Sequence, residues 1–341
     1  MEETPKMKPK VYLDEPLITR KDWNSVTRLC YPDPYPSTRS PLVPQFERAV
    51  ARLLDVDPVR VVAVNSGTTA LILSLQARGS KPSTVHTSAL SFPATVRAIT
   101  AAGLTPHLCD IDPLTWNPVL PRVAHRALSV DLYGNWGEFP AAALHGRSVV
   151  DSCESIPAPG LVVPGAYCCL SFNGNKTFTT GAGGIVVCPT YKAAHDVRVL
   201  ADPSQGGLNL RMAGLNAALG LIQLRRYRQF VNAKLTIYQE YRAALGGLVT
   251  FQTRVSTSVL WMVACTFPDP VLIPTLRRYL LTKGVPTRSI FLPAGTPTQY
   301  PVAWHVFNTG LCLPSSVRNS RTTIRWVCDI IKKGVERCVN S

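Results

Sequence analysis

The chain has 341 residues, of which 46% are hydrophobic, and its formal net charge is +15. This length and composition predict a sizeable hydrophobic core and two domains, one large and one smaller. No apolar run approaches the ~20 residues that cross a bilayer, and the N-terminal residues contain no apolar segment of the signal-peptide type. We therefore expect a cytoplasmic protein without a membrane partner.

The ten cysteines are scattered, and no pair of them has the CxxC spacing of a metal site. Several stand inside apolar runs, among them Cys168, Cys169, Cys188 and Cys265. Buried free thiols are the expected state of these side chains, and we expect no structural metal.

The positive charge is concentrated in the second half of the chain. Residues 201–341 hold 17 Lys or Arg against 5 Asp or Glu, a net +12, whereas residues 1–200 hold 19 against 16, a net +3. A basic half indicates either an anionic partner, such as a phosphorylated small molecule or a nucleic acid, or simply a basic solvated surface.

The chain opens with a segment rich in proline and polar residues, 1–45. Its YPDPYPSTRSPLVP stretch is predicted not to be helical, because proline removes a backbone donor and restricts the preceding residue. We interpret the segment as a long ordered arm or loop. QFERAVARLLDV follows with apolar residues at helical spacing, and VRVVAVNSG then reads as a buried strand that runs into a turn.

SGTTALILSLQARG begins at Ser66, directly after this strand, and predicts an apolar helix over Ala70 to Leu75. A strand, a tight turn and a helix N-terminus together can bind an anion, since the helix dipole and the unpaired amides face the ligand. The alternative is an ordinary helix that Ser66 or Thr68 caps.

From His86 onwards, short apolar strands alternate with helices such as Pro93 to Ala102. This alternation predicts a parallel sheet with helices on both faces. Ligands of such sheets lie beyond the carboxyl ends of the strands. Five polar or aromatic residues are predicted at or just beyond strand ends: Ser66, Phe92, Asp131, Asp151 and Lys176.

Asp151 ends the apolar run HGRSVVD, and Lys176 follows the next one, AYCCLSF. An enzyme that uses pyridoxal phosphate needs two groups of these kinds. A lysine amine bonds to the aldehyde of the cofactor, and a carboxylate keeps the pyridine nitrogen of the cofactor protonated. Taken alone, the pair has a simpler interpretation: an Asp that caps a turn and a solvated Lys.

After a helical stretch, PTYKAAHDVRVLAD, the sequence predicts a glycine-rich loop and then one long helix. Small residues at 217, 218 and 220 would let that helix pack closely. We place the domain boundary near Leu235, which gives a large domain over 1–235 with the arm 1–45, and a small C-terminal α/β domain over 236–341. In the latter, SVLWMVACTF reads as a strand, and PVLIPTLRRYLLTKG and TTIRWVCDIIKKGV read as amphipathic helices.

Seven motifs, in order, resemble the DegT/DnrJ/EryC1/StrS family of sugar aminotransferases. They are VNSGTTAL, LSFPATV, DIDPLTWN, DLYG, VVDSCES, LSFNGNKTFTTGAGG and NLRMAGLNAALGLIQL. The resemblance covers residues 40–240 well and implies the fold-type I architecture of pyridoxal phosphate enzymes, a mostly parallel central sheet between helices. It also implies pyridoxal 5'-phosphate as cofactor and a homodimer with shared active sites.

The resemblance assigns roles to eight residues. Lys176 matches the lysine that bonds to the cofactor, and Asp151 matches the partner of the pyridine nitrogen. Glu154 falls beside the cofactor hydroxyl, and Phe92 falls where a side chain covers the cofactor face. The phosphate cradle of the family matches Gly67, Thr68 and Ser171. Asn209 matches an asparagine that reaches the phosphate across the dimer interface.

By this resemblance, the reaction is transfer of an amino group from glutamate to a keto group, at carbon 4, of a nucleotide-linked 4-keto-6-deoxysugar. Three alternatives remain: amination at carbon 3, a pyridoxal phosphate enzyme acting on nucleic acid or another polyanion, and a binding homologue without catalysis. The usual Tyr-x-Pro-x-His element that helps to hold the sugar nucleotide is missing, because PTRSIFLPAG stands there, with Ala294 and Gly295 in the histidine region.

Overall fold

Two sheets and the helices around them make up the computed structural model of the chain. It describes residues 9–31, 37–79, 83–121, 124–135, 148–155, 162–253 and 260–339. Within these ranges, no helix combines the length and the apolar character needed to span a membrane.

The larger sheet has seven strands in the described ranges, in the spatial order β1-β7-β6-β5-β4-β2-β3. Neighbours from β6 to β3 pair in parallel, whereas β7 is antiparallel to both β6 and β1. The predicted mostly parallel sheet is therefore confirmed. The strands are β1 (Val61–Val64), β2 (Thr84–Ser88), β3 (Thr105–Cys109), β4 (Ala127–Val130), β5 (Val149–Asp151), β6 (Tyr167–Ser171) and β7 (Gly184–Val187).

Helices cover both faces of this sheet, as the alternation of side chains in β1 shows. Val62 and Val64 join the core formed with α3 (Gly67–Ala77), α4 (Pro93–Ala101) and α5 (Tyr191–Ala201). Val61 and Ala63 point the other way, into the core formed with α1 (Arg20–Cys30), α2 (Leu42–Leu54) and α6 (Gly214–Leu224). Successive side chains of a strand face opposite sides, so a strand with all four residues buried must be covered twice.

The smaller sheet is antiparallel, in the order β10-β11-β9-β8. Its strands are β8 (Thr250–Phe251), β9 (Val263–Thr266), β10 (Arg288–Ser289) and β11 (Gly310–Leu313), and its helices are α7 (Tyr227–Leu245), α8 (Leu272–Thr282), α9 (Pro301–Thr309) and α10 (Arg321–Val339). One face packs against α7, α8 and α10, whereas Ala264 and Cys312 on the other face, with Ile290 just after β10, join the core of the larger sheet. The division at Leu235 remains a prediction, and α7 runs through that position.

The arm 1–45 contains helical structure that the sequence analysis did not predict. Helix α1 begins after Thr19, whose hydroxyl accepts from Asp22 N at 3.1 Å while Asp22 Oδ2 accepts from Thr19 N at 2.7 Å. This reciprocal capping box is a helix-start signal that the proline content obscured. The non-helical prediction was wrong over Leu42–Pro44, because proline is tolerated in the first turn of a helix such as α2.

The long helix predicted after the glycine-rich loop is two helices, α6 and α7. The break lies at Arg226, which has φ −105° and ψ 7°, and whose guanidinium binds Asp22 Oδ2 of α1 at 2.9 Å. The close packing predicted from small residues is confirmed at Gly220. A Cβ added there would lie 2.5 Å from the Phe46 ring.

Candidate functional site

A cavity of about 250 Å³ lies beyond the carboxyl ends of β4, β5 and β6, beside the N-terminus of α3. Seven of the eight predicted site residues line it: Gly67, Thr68, Phe92, Asp151, Glu154, Ser171 and Lys176. The eighth, Asn209, is exposed and is not part of this wall. The position agrees with the rule that ligands of parallel sheets lie at this edge.

The start of α3 forms one side of the cavity. Ser66 caps the helix, since its hydroxyl accepts from Thr69 N at 3.1 Å and its carbonyl from Ala70 N at 3.0 Å. Gly67 approaches the neighbouring strand so closely that an added Cβ would lie 2.7 Å from Ser171 Cβ. The cap leaves the amides of Gly67 and Thr68 at the cavity wall, where the helix dipole favours an anion.

Asp151 places a buried carboxylate in the cavity at the end of β5, with 5% of the residue exposed. Oδ2 accepts from the Thr95 hydroxyl at 2.7 Å, and Oδ1 accepts from Cys153 N at 3.1 Å. Thr95, at the start of α4, therefore fixes the orientation of the carboxylate. Burial raises the pKa of the Cys153 thiol well above its usual range, which makes this wall residue a poor nucleophile.

Lys176 and Glu154 meet at the wall of the same cavity. Lys176 follows β6 in a turn in which its N–H donates to Asn173 O at 3.0 Å, and its Nζ lies 3.9 Å from Glu154 Oε1. Glu154 Oε2 accepts from Tyr133 N at 2.7 Å, and Oε1 has no hydrogen-bond partner within the described residues. Burial raises the pKa of Glu154 to about 7, although the neighbouring Lys176 opposes the shift.

Trp261 is a cavity residue that the sequence analysis missed. It comes just before β9, and its indole face lies 3.9 Å from Lys176 Nζ, a cation–π contact. Within the sequence it stands in an apolar run that predicts a strand, and nothing in its spacing marks it as a site residue. Thr95 was missed too, although it lies in the LSFPATV motif three residues after Phe92.

An aromatic layer adjoins Lys176 and consists of Phe92, Tyr133, Trp261 and Phe291. Phe291 stacks on Tyr133 with ring centroids 5.1 Å apart, Tyr133 stacks on Trp261 at 6.3 Å, and Phe92 meets Phe291 edge-on at 5.5 Å. Phe92 itself is 47% exposed at the cavity mouth. The PTRSIFLPAG segment, which replaces the expected Tyr-x-Pro-x-His element, contributes Phe291 to this layer.

Asp131, predicted near a strand end, lies outside the cavity. It is fully buried, and its Oδ2 accepts from the hydroxyls of Ser152 at 2.5 Å and Ser155 at 3.1 Å. The side chain therefore holds the loop that carries Asp151 and Glu154. All ten cysteines are free thiols, and the described ranges contain no group of three His, Cys, Asp or Glu side chains suited to a metal ion.

The chain belongs to the DegT/DnrJ/EryC1/StrS aminotransferase family, whose model matches residues 36–332. This membership and the cavity place it among aminotransferases, as the motifs predicted.

Two curated relatives and one solved structure show how far the similarity extends. GDP-perosamine synthase of Escherichia coli O157:H7 is 28% identical over 94% of this chain and 97% of its own length. The dTDP-4-dehydro-2,3,6-trideoxy-D-glucose 4-aminotransferase of Saccharopolyspora spinosa is 27% identical over 86% of this chain and 89% of its own. The fold matches that of Spr1654 from Streptococcus pneumoniae in its PMP form, with a TM-score of 0.86 at 18% identity over 97% and 99% of the two chains.

Proposed function

We propose that this aminotransferase uses pyridoxal 5'-phosphate to transfer an amino group from glutamate to a keto group, at carbon 4, of a nucleotide-linked 4-keto-6-deoxysugar. The observation that carries the proposal is the shared cavity of Asp151 and Lys176, which brings a buried carboxylate and an amine to one site beside a helix N-terminus. When bound, the cofactor would supply an electron sink that stabilises the carbanion formed as the α-proton leaves.

The residues present fit this cofactor. The amides of Gly67 and Thr68, with the Ser171 side chain, would hold its phosphate, and Asp151 would pair with its ring nitrogen. Glu154 offers Oε1, a buried oxygen that has no hydrogen-bond partner in the described part of the chain, to the ring hydroxyl. A buried polar atom without a partner costs about 1–3 kcal/mol, so a ligand group that satisfies it is stabilised there.

Lys176 is the residue that would move the proton between the substrate carbon and the cofactor. This step needs a neutral amine. Glu154 Oε1 lies 3.9 Å from the amine, and the Glu154 pKa of about 7 allows this carboxyl group to change charge near neutral pH. General acid–base transfer of this kind contributes about 10²–10⁴-fold to a rate.

The similarity to relatives supports the sugar substrate and the carbon position. The Saccharopolyspora spinosa relative is named as a 4-aminotransferase of a nucleotide-linked deoxysugar, and the Escherichia coli relative as the synthase of a GDP-linked one. The basic second half is consistent with an anionic, phosphorylated substrate.

A product assay tests the proposal. The purified protein is incubated with pyridoxal phosphate, glutamate and a panel of 4-keto and 3-keto nucleotide sugars, and the products are analysed by mass spectrometry. We expect a 4-amino sugar and 2-oxoglutarate in equal amounts, and neither with Lys176→Ala. A 3-amino product would move the site of amination, and bound cofactor without any transfer would indicate a binding homologue.

Borohydride trapping tests the lysine separately. We expect reduction to leave the cofactor covalently attached at Lys176, as read from the labelled peptide. Lys234 is the internal comparison, because it is a second buried lysine, 2% exposed, outside the cavity wall. A label on Lys234 would overturn the assignment of the site.

A further inference from the structure

Lys234 of α7 buries a charged group just outside the cavity. Its Nζ donates to the backbone carbonyls of Trp261 at 2.5 Å and Ser315 at 2.6 Å. Among the described residues, it makes no ion pair within 4 Å. Burial lowers its pKa to about 7, and Asp14 is the charged group whose field opposes that shift. Burying an amine costs free energy unless it is hydrogen-bonded, so its two hydrogen bonds indicate which backbone groups it positions.

One of these bonds completes a three-point attachment of Trp261. The backbone N–H of Trp261 donates to Tyr133 O at 3.1 Å, its carbonyl accepts from Lys234, and its indole Nε1 donates to Asn175 O at 2.9 Å. Asn175 directly precedes Lys176, the residue whose amine lies 3.9 Å from the indole face. The indole ring of Trp261 is thus held by the turn that carries Lys176. The Trp261 backbone is held by Lys234 of α7 and by Tyr133.

We propose that Lys234 is a positioning residue of the amino-transfer site, which acts through Trp261 by fixing the backbone that keeps the indole face against the Lys176 amine. The link to amino transfer rests on the proposed function, whereas the positioning of Trp261 does not. A neutral amine carries two N–H donors and an ammonium carries three. Two carbonyl acceptors are therefore satisfied in either charge state, so the attachment persists on both sides of neutral pH.

The expected consequence concerns how fast Lys176 reacts. The Trp261 ring lies over the Lys176 amine, and a cation–π contact of this kind is worth about 0.5–2 kcal/mol. An amine held in this contact is less available to an acylating reagent. Lys234→Met fills the same space without donors, and it should release the indole and speed acylation of Lys176 by about 2- to 30-fold. At pH 8 Lys234, with its pKa of about 7, is largely neutral, so the substitution removes little positive charge from the surroundings of Lys176.

A double-mutant cycle measures this in the full-length chain without cofactor. Acetic anhydride at a fixed pH of 8 is the probe, and mass spectrometry of the peptide that contains Lys176 gives the rate. Three charged groups of the described residues are unchanged in all four proteins: Glu154, 3.9 Å from the Lys176 amine, Asp151, which lines the same cavity, and Arg288, 5.3 Å from the Trp261 ring centroid. If Lys234 acts through Trp261, then Lys234→Met and Trp261→Leu each speed labelling, and the double variant is no faster than the faster single variant.

Three controls keep the result interpretable. Lys192→Met removes an exposed lysine, 84% exposed in its side chain, and should leave the labelling rate unchanged. Lys234→Gln keeps two donors on a side chain one bond shorter, so its rate should fall between those of the wild type and Lys234→Met. If Lys234→Met does not yield folded protein by urea titration, Lys234→Gln takes its place in the cycle with the same expected direction.

Slower or unchanged labelling in the Lys234 variant would overturn the inference, as would rates that multiply in the double variant. Neither outcome depends on the sugar or on bound cofactor. Failure of amino transfer with a non-additive cycle would therefore overturn only the proposed function, and transfer with an additive cycle would overturn only the role of Lys234.

Discussion

Asp151→Asn removes one buried negative charge and leaves the shape of the side chain almost unchanged. The asparagine oxygen can still accept from Cys153 N, which now donates to Oδ1 at 3.1 Å. The Thr95 hydroxyl, which donates to Oδ2 at 2.7 Å, can rotate and accept from the new amide instead. The substitution should therefore cost no more than about 1 kcal/mol of folding free energy, the net worth of one neutral hydrogen bond.

The expected loss of activity is much larger, because the charge itself is what the proposed chemistry uses. A buried anion beside the ring nitrogen keeps that nitrogen protonated at neutral pH. Without it, about 3–4 kcal/mol of transition-state stabilisation should be lost, which slows the proton transfer by about 10²–10³-fold. Cofactor binding should persist, since Lys176 and the start of α3 are untouched.

Single-turnover stopped flow separates these effects, with the absorbance of the bound cofactor followed after mixing with glutamate. Asp110→Asn is the matched control. Its carboxylate accepts from Val302 N at 3.0 Å and Ala303 N at 2.9 Å at the start of α9, outside the cavity. The asparagine oxygen can replace only one of these two acceptors, so the control should lose some stability. It lies outside the cavity, however, and should react at the wild-type rate. An Asp151→Asn rate equal to that of the control would remove Asp151 from the mechanism.

Three other predictions follow from neighbouring contacts. The pKa of Glu154 is about 7 in the folded chain and ~4.5 in the unfolded one, so the wild type should lose up to roughly 3 kcal/mol of stability as pH rises from about 4.5 to 7. Urea titrations should show Glu154→Gln free of this loss, and parallel curves would contradict the shift. Gly67→Ala forces contacts of 2.7 Å and should lower stability by about 1–3 kcal/mol and weaken cofactor binding, whereas Gly247→Ala, with open space around it, should do neither in the same titrations. Mixing Lys176→Ala with Asn209→Ala chains should restore activity if Asn209 completes the site of a partner copy, and confirmed hybrids without activity would refute a shared site.

The sequence predicted the elements of the larger sheet because their signals are local. Strands such as Val61–Val64 and Tyr167–Ser171 are short apolar runs bounded by turn residues. The parallel pairing of β2 with β3 follows from helix α4, which lies between them in the chain. The gathering of Gly67, Asp151 and Lys176 around one cavity follows from the same topology, since each lies just beyond a strand end. Local signals also failed where two of them competed, as in the proline-rich arm that contains the capped helix α1.

The contribution of the second half to the site had no such signal. Trp261 reaches Lys176 because the smaller sheet turns one face towards the core of the larger sheet, a long-range packing that hydrophobic periodicity does not encode. Nothing in the sequence marks Lys234 within the predicted long helix, and its burial shows only in the structure, where the carbonyls of Trp261 and Ser315 accept from its amine. A charged residue in a helical pattern is usually solvated, so the sequence favoured the wrong environment.

Tyr133 joins the two parts of the site, and its backbone shows how strongly they are held together. Its φ of 55° is unfavourable for a bulky side chain, at a cost on the order of 1–3 kcal/mol. Four contacts over-determine that conformation: its N–H donates to Glu154, its carbonyl accepts from Trp261 N, its hydroxyl accepts from Phe291 N, and its ring packs against those of Trp261 and Phe291. A relaxed residue 133 would re-aim the N–H that fixes Glu154 and the carbonyl that fixes Trp261, the two groups that contact the Lys176 amine. The strained backbone of Tyr133 therefore lies where two groups contact the Lys176 amine: the Glu154 carboxylate, which follows a strand of the larger sheet, and the Trp261 indole, which precedes a strand of the smaller one.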